Sequence, residues 1–283
     1  MCIYVKNFQN CYNSAYIFLI LTMSYGSGTI TGDVRDFLRK FQSNVKQGSG
    51  RALYTSYTAF KEITEEFYKL SSWPSDRDVI RNLKLNMSDL DEPTKIFLYL
   101  YRELYYRHAF NRCDIEIELL HDSFKNYINL FNKLLNYYDS GKKFPEIPLQ
   151  WLWDCIESFC SQFQYYHHWL SDPKDDYANM KALVEQYKGR MLQKKIQEKW
   201  SVKFVLRYLH YFVHAARIPI RYNEPPTSDP KAPQPNMMMQ MLGFFSLVGL
   251  CRVHTMLGDY RTAIDIMDRV DLKAKVQCVL RLE

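Results

Sequence analysis

Residues Phe244–Val270 read FFSLVGLCRVHTMLGDYRTAIDIMDRV. Leu247, Leu250, Cys251, His254, Leu257, Gly258, Tyr260, Ala263, Met267 and Val270 stand at the spacing of one tetratricopeptide-type helical hairpin. Gly258 can adopt the left-handed backbone that ends a first helix, and the small Ala263 lets a second helix lie close against it. One hairpin of this kind cannot bury its own apolar faces. The pattern therefore predicts neighbouring helix pairs stacked as a solenoid.

The preceding chain supplies candidates for those neighbours. Val34, Phe37, Leu38, Phe41 and Val45 recur at steps of three and four, as do Leu53, Tyr57, Phe60, Ile63, Phe67 and Leu70. Trp73-Pro74 then breaks the chain, because proline disfavours the helical conformation of the residue before it. Asp91-Glu92-Pro93 opens the next helix with an acidic cap and a proline in the first turn, continuing through Ile96, Leu100, Leu104 and His108. Further stripes run Leu120, Phe124, Tyr127, Phe131, Leu134, Tyr138, then Leu152, Ile156, Phe159, Phe163, Leu170, then Val202, Val205, Leu206, Leu209, Val213. No segment alternates with period two for long enough to be a strand. The expected fold class is all-α, a helical-repeat (tetratricopeptide-like) solenoid with no sheet. Six of the eleven prolines fall between Pro219 and Pro235, which predicts a stiff linker. The expected organisation is an irregular or gene-model extension over 1–32, a helical-repeat domain over 33–217, a proline-rich linker over 218–236 and the hairpin over 237–283.

Composition narrows the function classes. An apolar fraction of 47% against 24% charged residues excludes bulk disorder. Seven cysteines without paired spacing point to reduced thiols and a cytoplasmic setting. The net charge is +6, and Lys181–Arg207 holds eight cations against Glu185 and Glu198, so this window carries the whole excess. Such a strip is a solvated helix face or a surface for phosphate or an acidic partner. Its candidate RNA-contacting residues are Lys188, Arg190, Lys194, Lys195 and Lys199. The apolar run AYIFLILTM over residues 15–23 is far shorter than the ~20 residues that span a bilayer. It loosely resembles a signal peptide, but the unpaired cysteines favour translation starting at Met23, and no membrane partner is expected.

Catalytic constellations are weak. His210 and His214 have the one-turn spacing of zinc ligands, but Tyr211 stands where HExxH needs Glu, and no third ligand is in register. Cys155 and Cys160 lie five apart and point to different helix faces. The carboxylates read as scattered over charged faces, with no pair in a pocket. No enzyme activity, metal, cofactor or small-molecule substrate is expected. Tyrosines beyond the apolar stripe, such as Tyr105 and Tyr106, pack inside, serve protein interfaces or stack on single-stranded bases. Trp151, Trp153 and Tyr260 join them as candidate partner-interface residues.

Three segments carry a family resemblance. Phe97–Phe110 (FLYLYRELYYRHAF), Pro148–Phe163 (PLQWLWDCIESFCSQF) and Met241–Leu272 resemble, in order, blocks of subunit L of eukaryotic translation initiation factor 3. Met23-Ser24-Tyr25 is similar to the opening of that family and supports Met23 as the start. The resemblance implies a cytoplasmic, non-catalytic subunit of the initiation factor 3 complex. Its implied partners are the other subunits and the small ribosomal subunit, where the complex helps assemble the pre-initiation complex. The alternative is a helical RNA-binding module acting through the basic strip 181–207. The family joins its helical repeats to a PCI domain, and the expectation is a chain truncated before that domain.

Overall fold

The computed structural model describes residues 30–112, 117–171, 200–218 and 234–268. These form nine helices, and there is no strand among the described residues. The basic residues 181–199, the apolar run 15–23, the Met23 start and most of the proline-rich linker lie outside the described residues.

Helix α1 (Gly32–Gln47) buries the whole stripe of Val34, Phe37, Leu38, Phe41 and Val45. Asp33 in its first turn and Lys46 in its last oppose the partial charges of the helix ends. Gly48, at φ 70°, ends α1 with its N–H on the Asn44 carbonyl. The Asn44 amide reaches across the turn to Ser56 Oγ at 2.8 Å, fixing the hairpin to α2 (Gly50–Phe67).

The α2 stripe was expected to run on through Phe67 and Leu70, but these are 40% and 86% exposed. The helix stops at Phe67, and Trp73 folds back to take the buried place beside it. Its indole stacks 4.4 Å from Phe60 and donates to Thr64 Oγ1 at 2.9 Å. Pro74 then offers its carbonyl to Tyr101 at 2.6 Å. A short helix, α3 (Asp76–Asn82), follows with Ser75 as its cap.

Helix α4 (Glu92–Asn111) begins as its sequence indicates, with the Asp91 carboxylate accepting from Thr94 N–H at 3.2 Å and proline in the first turn. It is buried on most of its circumference, packing on α1, α3, α5 (Ile117–Asp139) and α6 (Leu149–Ser171). Trp200 precedes α7 (Val202–Ala215). It adopts a left-handed backbone, φ 51°, and is fully buried against Phe124, Tyr127 and Phe159. Its Nε1 donates to the Leu120 carbonyl at 3.0 Å. That bond and the burial of a large ring hold a backbone conformation costing about 1–2 kcal/mol in a non-glycine residue.

Helix α8 (Met237–Met256) lies against α6, α7 and α9 (Tyr260–Met267). Two glycines permit this. A Cβ at Gly243 would stand 2.2 Å from Ala216 Cβ and 3.0 Å from the Phe212 carbonyl, and one at Gly249 would meet Cys160 and Leu209 at 3.2 Å. By length and composition α8 could cross a membrane, yet more than half of its apolar stretch is buried within the fold. The turn to α9 is a complete Schellman motif: Gly258, at φ 77°, donates to the Thr255 carbonyl, and Asp259 N–H to that of His254 at 2.9 Å. Asp259 then caps α9 through Thr262 N–H, Ala263 is buried, and α9 packs on α8; Val270 lies outside the described residues.

Candidate functional site

The two most distinctive sequence blocks meet inside the protein. Glu103 and Arg107 are one turn apart on α4, Trp151 and Asp154 lie on the first turns of α6, and Tyr57 comes from the middle of α2. The Glu103 side chain has no exposure, while Arg107 keeps 12% and Asp154 23%. Arg107 holds the group together: Nε lies 3.1 Å and Nη2 3.3 Å from the Glu103 carboxylate, and Nη1 lies 3.2 Å from Asp154 Oδ2. Nη1 also donates to the Tyr57 hydroxyl at 2.8 Å, and that hydroxyl donates to Asp154. Trp151 Nε1 donates to Glu103 at 2.6 Å, with the indole stacked 5.0 Å from the Tyr57 ring. Gln150 and Lys61 complete the shell of Asp154 at 2.8 and 3.7 Å.

Burial pushes the Glu103 carboxyl upward, and Arg107 and the Trp151 hydrogen bond pull it back. Burial likewise raises the Tyr57 phenol, so it is a neutral donor. Burial opposes the charge on Arg107, but Glu103, Tyr57 and Asp154 outweigh it and raise its pKa. Above the cluster lies a cleft of about 430 Å³ between α2, α4 and α6, lined by Lys61, Thr64, Glu65, Asn111 and Glu157 among others. The carboxylates are thus not all scattered: Glu103 and Asp154 converge on one guanidinium. Arg107 and Lys61 together balance the two charges, and the phenol is spent on Asp154, so the arrangement offers neither an activated nucleophile nor an idle base. What it can do is pin three helices by bonds that fail together.

The candidate interface residues separate. Trp151 is 1% exposed and Tyr106 9%, so both serve internal packing in place of the surface role expected of them. Trp151 is drawn inward because Glu103 satisfies its indole N–H. Tyr105 is half-buried, edge-on to Tyr106, and Trp153 is half-buried, edge-on to Phe245 of α8 at 5.4 Å. Tyr260 is 63% exposed, next to Leu257 and Ile264 at 45% and 60%. Lys188, Arg190, Lys194, Lys195 and Lys199 lie outside the described residues.

His210 is half-buried, its pKa lowered by burial and by His254, while His214 is exposed. No group of three or more His, Cys, Asp or Glu able to hold a metal occurs among the described residues. Cys155 and Cys160 are both buried, with the Cys160 thiol pushed by burial up to about 12. The signal that sequence reasoning passed over was Glu103–Arg107 at i, i+4. The same spacing occurs on solvated helix faces, and only the burial of α4 distinguishes the two.

Comparison with known proteins places these blocks. Residues 120–281 match the family model described as RNA polymerase I-associated factor PAF67. Eukaryotic translation initiation factor 3 subunit L of Nematostella vectensis is 30% identical over 260 residues, 88% of this chain and 45% of the relative. The Danio rerio protein of the same name is 35% identical over 225 residues, 77% of this chain and 36% of the relative. That of Mycosarcoma maydis is 29% identical over 263 residues, 89% and 36%. The chain spans less than half the length of these curated relatives. No solved structure matches it. With more than half of its length under the PAF67 model and nearly all of it aligned to proteins of one name, the chain belongs to the eukaryotic translation initiation factor 3 subunit L (PAF67) family.

Proposed function

We propose that the chain is a non-catalytic, cytoplasmic subunit of the initiation factor 3 complex, supporting assembly of the pre-initiation complex on the small ribosomal subunit. The observation that carries this reading is the alignment of 88% of the chain to relatives named as subunit L. The neutralised charge cluster supports it, because its chemistry suits a rigid scaffold and not turnover. In this reading the paired helices α1/α2 and α4/α5 belong to a helical-repeat solenoid over 33–217, joined by the proline-rich stretch 218–236 to the α8/α9 hairpin of 237–283. Tyr105, Trp153 and Tyr260, with the exposed Leu257 and Ile264 beside Tyr260, are the surface offered to other subunits. The test is a tagged pull-down from cell lysate followed by a density gradient. Co-purification of initiation factor 3 subunits, lost on Y260R/I264R substitution, is the expected result. A chain that sediments alone overturns the reading.

A second reading is direct RNA contact through Lys188, Arg190, Lys194, Lys195 and Lys199. The concentration of the whole net charge in Lys181–Arg207 favours it. Binding that weakens steeply with salt, and weakens further in K194E/K195E, is its expected signature.

A further inference from the structure

We infer that the outer face of α7, with the asparagine row of α5 beside it, is a platform for single-stranded RNA. No Asp or Glu occurs between Glu198 and Glu224, so α7 has cations and no carboxylate of its own to answer them. Lys203, Arg207, Tyr211 and His214 are all exposed, and their spacing of four, four and three puts them in one row. At about 1.5 Å per residue that row is about 16 Å long. Among the described residues neither Lys203 nor Arg207 meets a carboxylate, although ion pairs bind cations elsewhere on α1, α2 and α4. Arg207 lies instead over the Phe204 ring, 5.5 Å from its centroid.

The aromatic component is equally specific. Tyr211 is 50% exposed and is held edge-on by Tyr208 at 6.2 Å, so its ring is positioned before any ligand arrives. The Tyr208 hydroxyl in turn donates to Asn132 Oδ1 at 2.9 Å, joining α7 to α5. Asn129, Asn132 and Asn136 are exposed at i, i+3 and i+7 on α5, giving uncharged amides alongside the cationic row. Cations for phosphate, a fixed ring for a base to stack on and amides for base edges are the components of a single-strand site. An acidic protein would use the cations but has no call on the stacking ring or the amides. Asp139, exposed three residues beyond Asn136, ends the uncharged row at the carboxyl end of α5.

This inference deepens the RNA-contact reading and rests on it. The probe is a fluorescein-labelled 20-nucleotide oligouridine, followed by anisotropy over a potassium chloride series, with poly-glutamate as competitor. K203E/R207E is expected to weaken binding about tenfold or more and to flatten the salt slope by about 1.4, at about 0.7 per phosphate on a single strand. Y211A is expected to weaken binding about tenfold with the slope unchanged, since stacking releases no counterions. All three positions are exposed, and circular dichroism of each variant checks that the fold survives. Loss of RNA affinity in K194E/K195E with K203E/R207E and Y211A at wild-type level overturns the platform while leaving the RNA reading intact. Absence of binding by the unmodified chain overturns both. Poly-glutamate competing as well as unlabelled RNA overturns the platform in favour of an acidic protein partner.

Discussion

Arg107→Met is the sharpest test of the buried cluster. The substitution keeps most of the aliphatic volume and removes the guanidinium. Glu103, with no exposure, loses its contacts at 3.1 and 3.3 Å, while Asp154 retains Lys61 and Gln150. A unit charge at about 4 Å is worth about 4 kcal/mol at an effective dielectric of about 20. Breaking a buried pair from one side costs about 3–5 kcal/mol. We expect a loss in that range at pH 8, read as a shift in the urea midpoint by far-UV circular dichroism. Against a domain stability of about 5–15 kcal/mol this is a large fraction. The pH dependence supplies a second reading of the same event. Burial already raises the Glu103 carboxyl, and without Arg107 nothing nearby opposes that rise except the Trp151 hydrogen bond. In the variant the native state therefore keeps its proton where the unfolded chain, titrating near about 4.3, has lost it. The unfolded state binds fewer protons, so stability falls as pH rises through this window and is regained as pH drops toward 5. E103Q/R107M, which leaves neither charge buried, is expected to recover part of the loss at pH 8. An R107M midpoint within about 1 kcal/mol of wild type, or a deficit equal at pH 5 and pH 8, would refute the account of the cluster.

Two further outcomes follow from the packing. Gly243→Ala should cost about 3 kcal/mol or more, because the new methyl meets Ala216 Cβ and the Phe212 carbonyl and cannot turn away from either; thermal melting with an unchanged midpoint would contradict the close approach of α7 and α8. Cys155 and Cys160, buried with their thiols held protonated, should resist iodoacetamide in the native protein and react on unfolding, while Cys251 at the α8 surface reacts earlier. Peptide mapping by mass spectrometry reads the order.

Much of the helical layout was legible because it rests on local chemistry. The stripe of α1, the Asp91 cap with Pro93, and Gly258 as a helix terminator each depend on a few adjacent residues, and each forms as read. What escaped was decided at a distance. Leu70 fits the α2 period, yet Trp73 wins its place through a ring stack on Phe60 that no spacing rule contains. Trp151 has the amphipathic character of an interface residue, and only the arrival of Glu103, 48 positions away in sequence, turns it inward. Glu103 itself has the sequence context of a solvated charge. The basic row was legible as charge; that Lys203, Arg207 and Tyr211 share one exposed face beside an asparagine row needed the packing of α7 on α5.

The clamp around Arg107 also has a consequence for how the chain is made. Its members enter at residues 57, 103, 107, 151 and 154, and the longest bond, from Tyr57 to Asp154, spans 97 positions. During vectorial synthesis α2 and α4 leave the ribosome well before α6. A nascent chain shorter than about 150 residues therefore carries Arg107 and Glu103 without Trp151, Asp154 or the wall that shields them from water. Contacts so far apart in sequence form late, and the early half waits, hydrated and incomplete, for the segment that closes it. Stalling or premature termination ahead of Asp154 should yield an open, protease-sensitive species. A chain released after α6 carries every member of the clamp and should resist the same protease.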